Sequence, residues 1–202
     1  MFETLFSQYN EYETIDIVLE IIGVLFGLAS VLFAKKNNIL VYPTGIISTI
    51  IFVYLLNKWG LMGDMMINIY YTTMSIYGWY LWSRKSDDKP ELPITSVTSK
   101  ELYYGVLLFI LTVVFVLFVY NYFDKFTDWT AYVDTFTTGI FFVGMWLMAK
   151  RKLENWVLWI IGDLVSIPLY FYRGYTFTSM QYAIFTIIAV YGYIEWKKNL
   201  NK

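Results

Sequence analysis

Seven long apolar stretches constrain the fold of this chain more than any other feature of its sequence. Each runs for roughly 18 to 22 residues, about the length that an α-helix needs to cross a ~30 Å hydrocarbon layer. The stretches are apolar on nearly all sides, which disfavours soluble amphipathic helices. Apolar and polar residues do not alternate along them, which disfavours the strands of a membrane barrel. We therefore predict an all-α membrane protein with seven transmembrane helices. The predicted spans are Ile17–Ala34, Ile39–Leu56, Met65–Trp82, Leu102–Phe123, Thr130–Ala149, Asn155–Tyr172 and Phe177–Ile194.

The composition excludes several kinds of site. Of the 202 residues, 58% are hydrophobic and 15% charged, and the chain has no Cys and no His. Thiolate metal sites, Cys nucleophiles and His-based acid–base schemes are therefore absent, and we predict no catalytic residue, no metal ligand and no cofactor. The net charge of −1 gives no basic field, so nucleic acid is not an expected partner. The expected environment is the lipid bilayer.

The distribution of basic residues predicts the orientation of the helices. Lys58, Lys125 and Arg173 fall on one predicted side of the membrane. The other twelve fall on the opposite side: Lys35, Lys36, Arg84, Lys85, Lys89, Lys100, Lys150, Arg151, Lys152, Lys197, Lys198 and Lys202. By the positive-inside rule the amino terminus is outside and the carboxyl terminus is cytoplasmic.

An internal repeat relates the first three spans to the last three. Ala34-Lys35-Lys36 reappears as Ala149-Lys150-Arg151, and the aromatic run 77–82 reappears at 191–196, so the two offsets are 115 and 114 residues. We predict two parallel three-helix repeats joined by a lone fourth helix, with a substrate site between them near mid-depth. The expected divisions are a periplasmic segment 1–16, a repeat 17–82, a cytoplasmic loop 83–101, a linker helix and outer loop 102–129, a repeat 130–196 and a cytoplasmic tail 197–202.

Asp163 is the most informative polar residue, because it lies near the middle of the sixth span. An ionised Asp at that depth costs about 2.5–3.5 kcal/mol, so it should face the protein interior or a water-filled cavity. Trp156 and Trp159 lie on roughly the same helix face, and indole rings beside a carboxylate suit a flat aromatic cation. Three alternatives remain: Asp163 could be protonated, Asp163 could fix helix contacts by hydrogen bonds, and Trp156 could be a membrane-interface residue.

Amides and prolines occur in matching helices of the two repeats. Asn68 in the third span and Gln181 in the seventh are 113 residues apart, and could present amides to a common cavity or make interhelical hydrogen bonds. Pro43, Gly45 and Pro168 are candidate hinges, because such residues interrupt helices in transporters. Pro43 could equally be a proline that starts its helix.

Three runs resemble the PnuC-type vitamin transporters: Asn38 to Ile46, Ser75 to Trp82, and Glu154 to Ile160 with its Asn-Trp-x-x-Trp motif. The resemblance implies a three-plus-one-plus-three arrangement similar to SWEET sugar transporters, often as homotrimers. It also implies uptake of nicotinamide riboside, or in relatives thiamine or riboflavin, down its gradient, with trapping through phosphorylation by a cytoplasmic kinase. The implied substrate contacts are Asn68, Asn155, Trp156 and Trp159.

Asp163 departs from that family pattern, because relatives specific for nicotinamide riboside tend to have Asn there. A carboxylate suits nicotinamide riboside or thiamine, which both carry a positive aromatic ring, better than neutral riboflavin. We expect facilitated uptake across a bacterial inner membrane by rocking of the two helix bundles. Thiamine uptake, a non-transporting vitamin receptor and an intramembrane carboxylate enzyme are the alternatives, the enzyme being disfavoured. The expected central site is lined by Asn68, Tyr71, Trp156, Trp159, Asp163 and Gln181, with the amides holding ribose hydroxyls.

Overall fold

The computed structural model describes residues 13–59, 62–86, 89–90, 92–124, 128–172 and 176–200, and within these it contains seven long helices. They are α1 Thr14–Lys35, α2 Val41–Lys58, α3 Met62–Ser83, α4 Ser99–Tyr122, α5 Thr130–Ala149, α6 Asn155–Tyr172 and α7 Thr176–Leu200. The bounds of α5 and α6 match the predicted spans. Because α7 continues to Leu200, most of the predicted tail 197–202 is helical. Residues 1–12 of the predicted amino-terminal segment lie outside the described residues, and residues 14–16 belong to α1.

Five of the seven helices are long and apolar enough to cross a membrane by length and composition: α1, α2, α4, α5 and α6. The other two, α3 and α7, are also long enough but carry more polar side chains. Asn68, Thr72 and Ser75 lie on α3, and Gln181 lies on α7. Polar residues of this kind are expected where a membrane helix faces the protein interior.

The segment between α3 and α4 is more ordered than the predicted loop 83–101. Strands β1 Lys85–Ser86 and β2 Lys89–Pro90 pair antiparallel. Residues 92–98, which we call the strap, then run along the turn between α5 and α6. The Thr95 N–H donates to the Arg151 carbonyl (3.1 Å), and the Leu153 N–H donates to the Thr95 carbonyl (3.0 Å). At the start of α4, Glu101 forms ion pairs with Lys150 (3.1 Å) and Lys152 (2.9 Å).

The helices pack in two groups of three. In the first group α2 packs against α1 and α3, and in the second α6 packs against α5 and α7. The groups meet where α1 packs on α7 and where α3 packs on α5, while α4 makes its main contact with α5.

Two hydrogen bonds cross between the groups at equivalent positions. The Trp82 Nε1–H donates to the Ala149 carbonyl (3.1 Å), and the Trp196 Nε1–H donates to the Ala34 carbonyl (2.9 Å). Each bond joins the carboxyl-terminal part of one group's third helix to the end of the other group's first helix: α3 to α5 in one case, and α7 to α1 in the other. The carboxyl-terminal parts of α1, α3, α5 and α7 therefore meet at one end of the bundle, which we call the tryptophan end. Such paired contacts are what two like-oriented repeats predict.

Aromatic rings fill the tryptophan end in the same paired manner. Tyr42 packs edge-on against Trp82, with ring centroids 5.0 Å apart, and Trp156 packs edge-on against Trp196 at 5.6 Å. Tyr42 and Trp156 are 114 residues apart, which is the offset of the repeat. The two central rings, Trp82 and Trp196, lie 5.9 Å apart and link the two sets. This end of the interface is therefore densely packed.

We expect Trp82→Phe and Trp196→Phe each to destabilise the protein. Each change keeps an aromatic ring but removes the indole N–H that crosses between the groups, at a cost of about 1 kcal/mol. Thermal unfolding in detergent measures the effect. Trp129→Phe is the matched control, because Trp129 is 52% exposed, and it should leave the melting temperature unchanged. A neutral result for either buried tryptophan would contradict a stabilising role for its bond.

Candidate functional site: a cavity between the two helix groups

A cavity of about 260 Å³ lies between the two groups and is lined by six of the seven helices, all except α4. Its walls include Ala34, Val41 and Met148 towards the tryptophan end, and Asp163 and Tyr182 deeper in the bundle. A site between the two repeats is where the sequence analysis places the substrate.

The second group supplies the aromatic rings and the charge. Trp156, Trp159 and Asp163 project from one face of α6 into the cavity, because residues three and four apart in a helix share a face. Phe141 from α5 stacks on Trp159, with centroids 5.3 Å apart and planes inclined by 26°. Tyr71 from α3 closes the other side at 6.5 Å from Trp159. The cavity thus offers several ring faces around one carboxylate.

Asp163 is only 3% exposed, yet none of the ion pairs among the described residues includes it. The basic side chains of the described structure lie at the helix ends and turns, away from the middle of α6. When it is ionised, a carboxylate in such an apolar setting attracts a cation strongly, since the low dielectric of the surroundings screens little. The cavity is therefore suited to a positively charged solute.

Trp156 is buried in the protein and is not a membrane-interface residue. It is 2% exposed, lines the cavity and packs against Trp196. Its Nε1–H has no hydrogen-bond partner among the described residues. The interface interpretation left open by the sequence does not hold for this side chain.

The first group supplies small hydroxyl side chains to the opposite wall: Ser30, Ser48, Thr49 and Ser75. Ser30 donates to the Val41 carbonyl and Ser48 to the Gly23 carbonyl, both at 2.7 Å, and these bonds hold α1 against α2. The sequence analysis missed all four residues. The sequence contains no periodic signal for them, because they are isolated Ser and Thr residues in apolar helices.

The predicted amides do not share this cavity. Asn68 lines a second cavity of about 190 Å³, to which Tyr71 also contributes. Asn155 is fully buried at the start of α6, where its Nδ2 donates to the Lys152 carbonyl (2.6 Å). Gln181 is half-buried and is not among the described residues that line either cavity. Substrate contacts by these three amides stay predictions.

The three predicted hinges occupy different settings. Gly45 lines the cavity. Pro43 lies in the first turn of α2, where a missing N–H removes no helical hydrogen bond. Pro168 lies inside α6, where it does remove one.

Comparison with known proteins identifies the family. The family model described as nicotinamide mononucleotide transporter matches residues 17–198. The chain belongs to this transporter family. Among curated relatives, the nicotinamide riboside transporter PnuC of Escherichia coli (strain K12) is 25% identical over 88% of this chain and 84% of its own. The riboflavin/roseoflavin transporter RibM of Streptomyces davaonensis is 22% identical over 88% and 83%.

A solved structure shares the fold. The crystal structure of the vitamin B3 transporter PnuC matches with a TM-score of 0.68 and 23% identity, covering 93% of this chain and 84% of the other. Together with the family match, this confirms the resemblance seen in the sequence motifs. The protein is a multi-pass membrane transporter and not an enzyme.

We expect Gly192→Ala to reduce vitamin uptake. A Cβ at position 192 would lie 2.7 Å from the ring of Trp156, so the ring would have to move in the cavity wall. Gly144→Ala is the matched control, since its Cβ would meet Leu158 and Trp159 at an ordinary 3.5 Å. Uptake of labelled vitamin by cells expressing each variant at equal levels measures the difference. If Gly192→Ala took up as much as Gly144→Ala and the parent protein, the position of Trp156 would be unimportant for transport.

Proposed function

We propose that this protein takes up a cationic aromatic vitamin, nicotinamide riboside in the first place, by facilitated diffusion across a bacterial inner membrane. The observation that carries the proposal is the buried Asp163 carboxylate, without an ion-pair partner among the described residues, beside two indole rings in one cavity. The names of the relatives support it, because several are nicotinamide riboside transporters.

The vitamins that relatives carry differ in the charge of their aromatic ring. The nicotinamide ring of the riboside has a fixed positive charge, which the Asp163 carboxylate neutralises while the indoles stack on the ring face. A neutral flavin gains no such charge attraction, so the Asp163 carboxylate favours the cation over the flavin. Thiamine also has a positive aromatic ring, so thiamine uptake by the same mechanism is the second candidate.

Transport proceeds by rocking of the two helix groups around the cavity. The positive-inside rule assigns the tryptophan end to the cytoplasm, because Lys35, Lys36, Lys150 and Arg151 lie there. In the described conformation the Trp82 and Trp196 hydrogen bonds hold the groups together at that end. Release into the cytoplasm therefore requires these bonds to break, with Pro43, Gly45 and Pro168 absorbing the backbone change.

Phosphorylation by a separate cytoplasmic kinase keeps the vitamin inside the cell, so the gradient alone drives uptake and ion coupling is unnecessary. Assembly as a homotrimer is part of the same proposal and rests on the family resemblance. Cross-linking in native membranes addresses the oligomer.

Asp163→Ala tests the counter-ion role, because Asn is the residue that relatives specific for nicotinamide riboside tend to have at this position. We expect this variant to bind nicotinamide riboside at least tenfold more weakly than the parent protein, because a charge-assisted contact contributes about 1.5–3 kcal/mol. Binding of the reduced, uncharged dihydronicotinamide riboside should change by less than threefold. Titration calorimetry of the purified protein with both compounds gives the two affinities.

Asp124→Asn controls for the loss of one negative charge, since Asp124 is exposed in the loop after α4. It should leave both affinities unchanged. Equal losses for the charged and the uncharged riboside in Asp163→Ala would remove the counter-ion role. A parallel titration with thiamine ranks the two candidate vitamins.

Reconstitution into liposomes separates a transporter from a receptor. Saturable entry of labelled nicotinamide riboside into vesicles that contain only this protein supports facilitated diffusion. Binding without entry would indicate a receptor, and chemical conversion of the solute would indicate an enzyme.

A further inference from the structure

A second cavity, of about 190 Å³, lies next to the central one and further from the tryptophan end. Asp134 and Thr138, from the first part of α5, line one side of it, and Ser166 and Tyr170, from the last part of α6, line another. Both helix parts are remote from the tryptophan end, where α5 finishes and α6 begins. We call this space the outer cavity.

The lining of the outer cavity is rich in hydrogen-bonding groups. It presents the Asn68 amide, the Asp134 carboxylate and the hydroxyls of Thr137, Thr138 and Tyr170. The Thr137 and Thr138 hydroxyls donate to the Asp134 backbone carbonyl at 3.0 and 2.8 Å, which leaves their oxygens able to accept. The central cavity, by contrast, is walled mainly by rings and apolar side chains around its single acid.

Ser166 gives the outer cavity an unmet hydrogen-bonding group. Its side chain is 1% exposed, and its Oγ has no hydrogen-bond partner among the described residues. A buried hydroxyl without a partner costs about 1–3 kcal/mol, and such groups in native proteins call for an explanation. A solute hydroxyl that enters the outer cavity would supply the missing partner.

Three rings border both cavities: Tyr71, Phe141 and Tyr182. The Tyr182 ring runs nearly parallel to Phe141, with centroids 6.2 Å apart, and stacks on Tyr170 at 5.1 Å. The same side chains thus bound the apolar space around Asp163 and the polar space around Ser166. A single solute can contact both spaces across these shared rings.

The volumes of the two cavities also favour a single solute that occupies both. Sites for small molecules usually measure about 300–1,000 Å³. Neither the central cavity, at about 260 Å³, nor the outer cavity, at about 190 Å³, reaches that range alone, but together they do.

We propose that the outer cavity binds a hydroxyl-rich group, such as a pentose, that is attached to the flat cation held in the central cavity. The solute then lies along the bundle, with its charged ring nearer the tryptophan end and its sugar pointing to the opposite end. Ser166, Thr137 and Thr138 contact the sugar hydroxyls, and the shared rings separate the two parts of the solute. This inference rests on the proposed function and assigns residues that the sequence analysis did not find.

Ser166→Ala tests the assignment with two ligands that share the charged ring. Nicotinamide riboside carries the pentose, and 1-methylnicotinamide has the same cationic ring without it. We expect Ser166→Ala to weaken binding of the riboside about fivefold to tenfold and to leave binding of 1-methylnicotinamide unchanged. Titration calorimetry of the full-length protein in detergent measures both affinities. Because Ser166 Oγ makes no hydrogen bond within the described residues, the variant should keep its melting temperature.

Ser179→Ala is the matched control. Ser179 is also buried and its Oγ donates to the Ile167 carbonyl (2.8 Å), but it lines neither cavity. This change should lower the melting temperature and leave both affinities as they are. Equal losses for the two ligands in Ser166→Ala, or no loss for either, would overturn the sugar subsite while the proposed function stands. If the parent protein binds neither ligand, the proposed function fails first and the subsite fails with it.

Discussion

The buried carboxylate of Asp163 is the constraint around which the site is organised. An acid in the middle of a membrane helix is costly in lipid, so α6 must turn this face inward, and Trp156 and Trp159 are brought into the cavity by the same rotation. Attraction between this acid and a cationic solute is strong because little water screens it. A transporter must also release its solute. The polar groups that α1 and α2 contribute to the opposite wall are small hydroxyls, and the described lining contains no second charge to make binding tighter.

The repeat builds a paired scaffold, but the cavity it encloses is not symmetric. Positions 114 residues apart on α2 and α6 both line the cavity, yet Gly45 is matched by Trp159, and Thr49 is matched by Asp163. A second indole at position 45 would fill the space that the first one borders. The scaffold contacts at the tryptophan end have kept equivalent roles in the two groups, whereas the lining positions have diverged. Divergence of this kind suits a solute that is itself asymmetric, with one flat charged end and one polar end.

Much of the fold follows from the sequence, because helix length, apolar character and the repeat are each set by local patterns. The bounds of α5 and α6 and the inward position of Asp163 could be predicted in this way. Ser166 and the hydroxyls of the central cavity could not, because a lone Ser or Thr in an apolar helix gives no periodic signal. The placement of Asn68 in one cavity and of Gln181 outside both depends on helix rotations of a fraction of a turn, which only the packing of neighbouring helices determines. The strap likewise depends on contacts with a turn more than fifty residues away.

The strap makes the two groups unequal at the tryptophan end. The turns after α1 and α5 have the same backbone form, with φ of 51° at Asn37 and 53° at Arg151, which are again 114 residues apart. The second turn carries a charge that reaches the first group and the strap: Arg151 donates to the Leu92 carbonyl of the strap (2.7 Å), and its guanidinium lies 4.0 Å from the Trp82 ring. At the end of α1, the Lys35 ammonium lies 5.3 Å from the Tyr191 ring of α7. Burial lowers the pKa of Arg151, but a guanidinium stays charged at neutral pH. Separation near Trp82 must therefore break the contacts of Arg151 as well as the bond to Ala149. Separation near Trp196 breaks its bond to Ala34 and the contact of Lys35 with the Tyr191 ring, and it leaves the strap in place. The contacts that must break therefore differ between the two sides of this end.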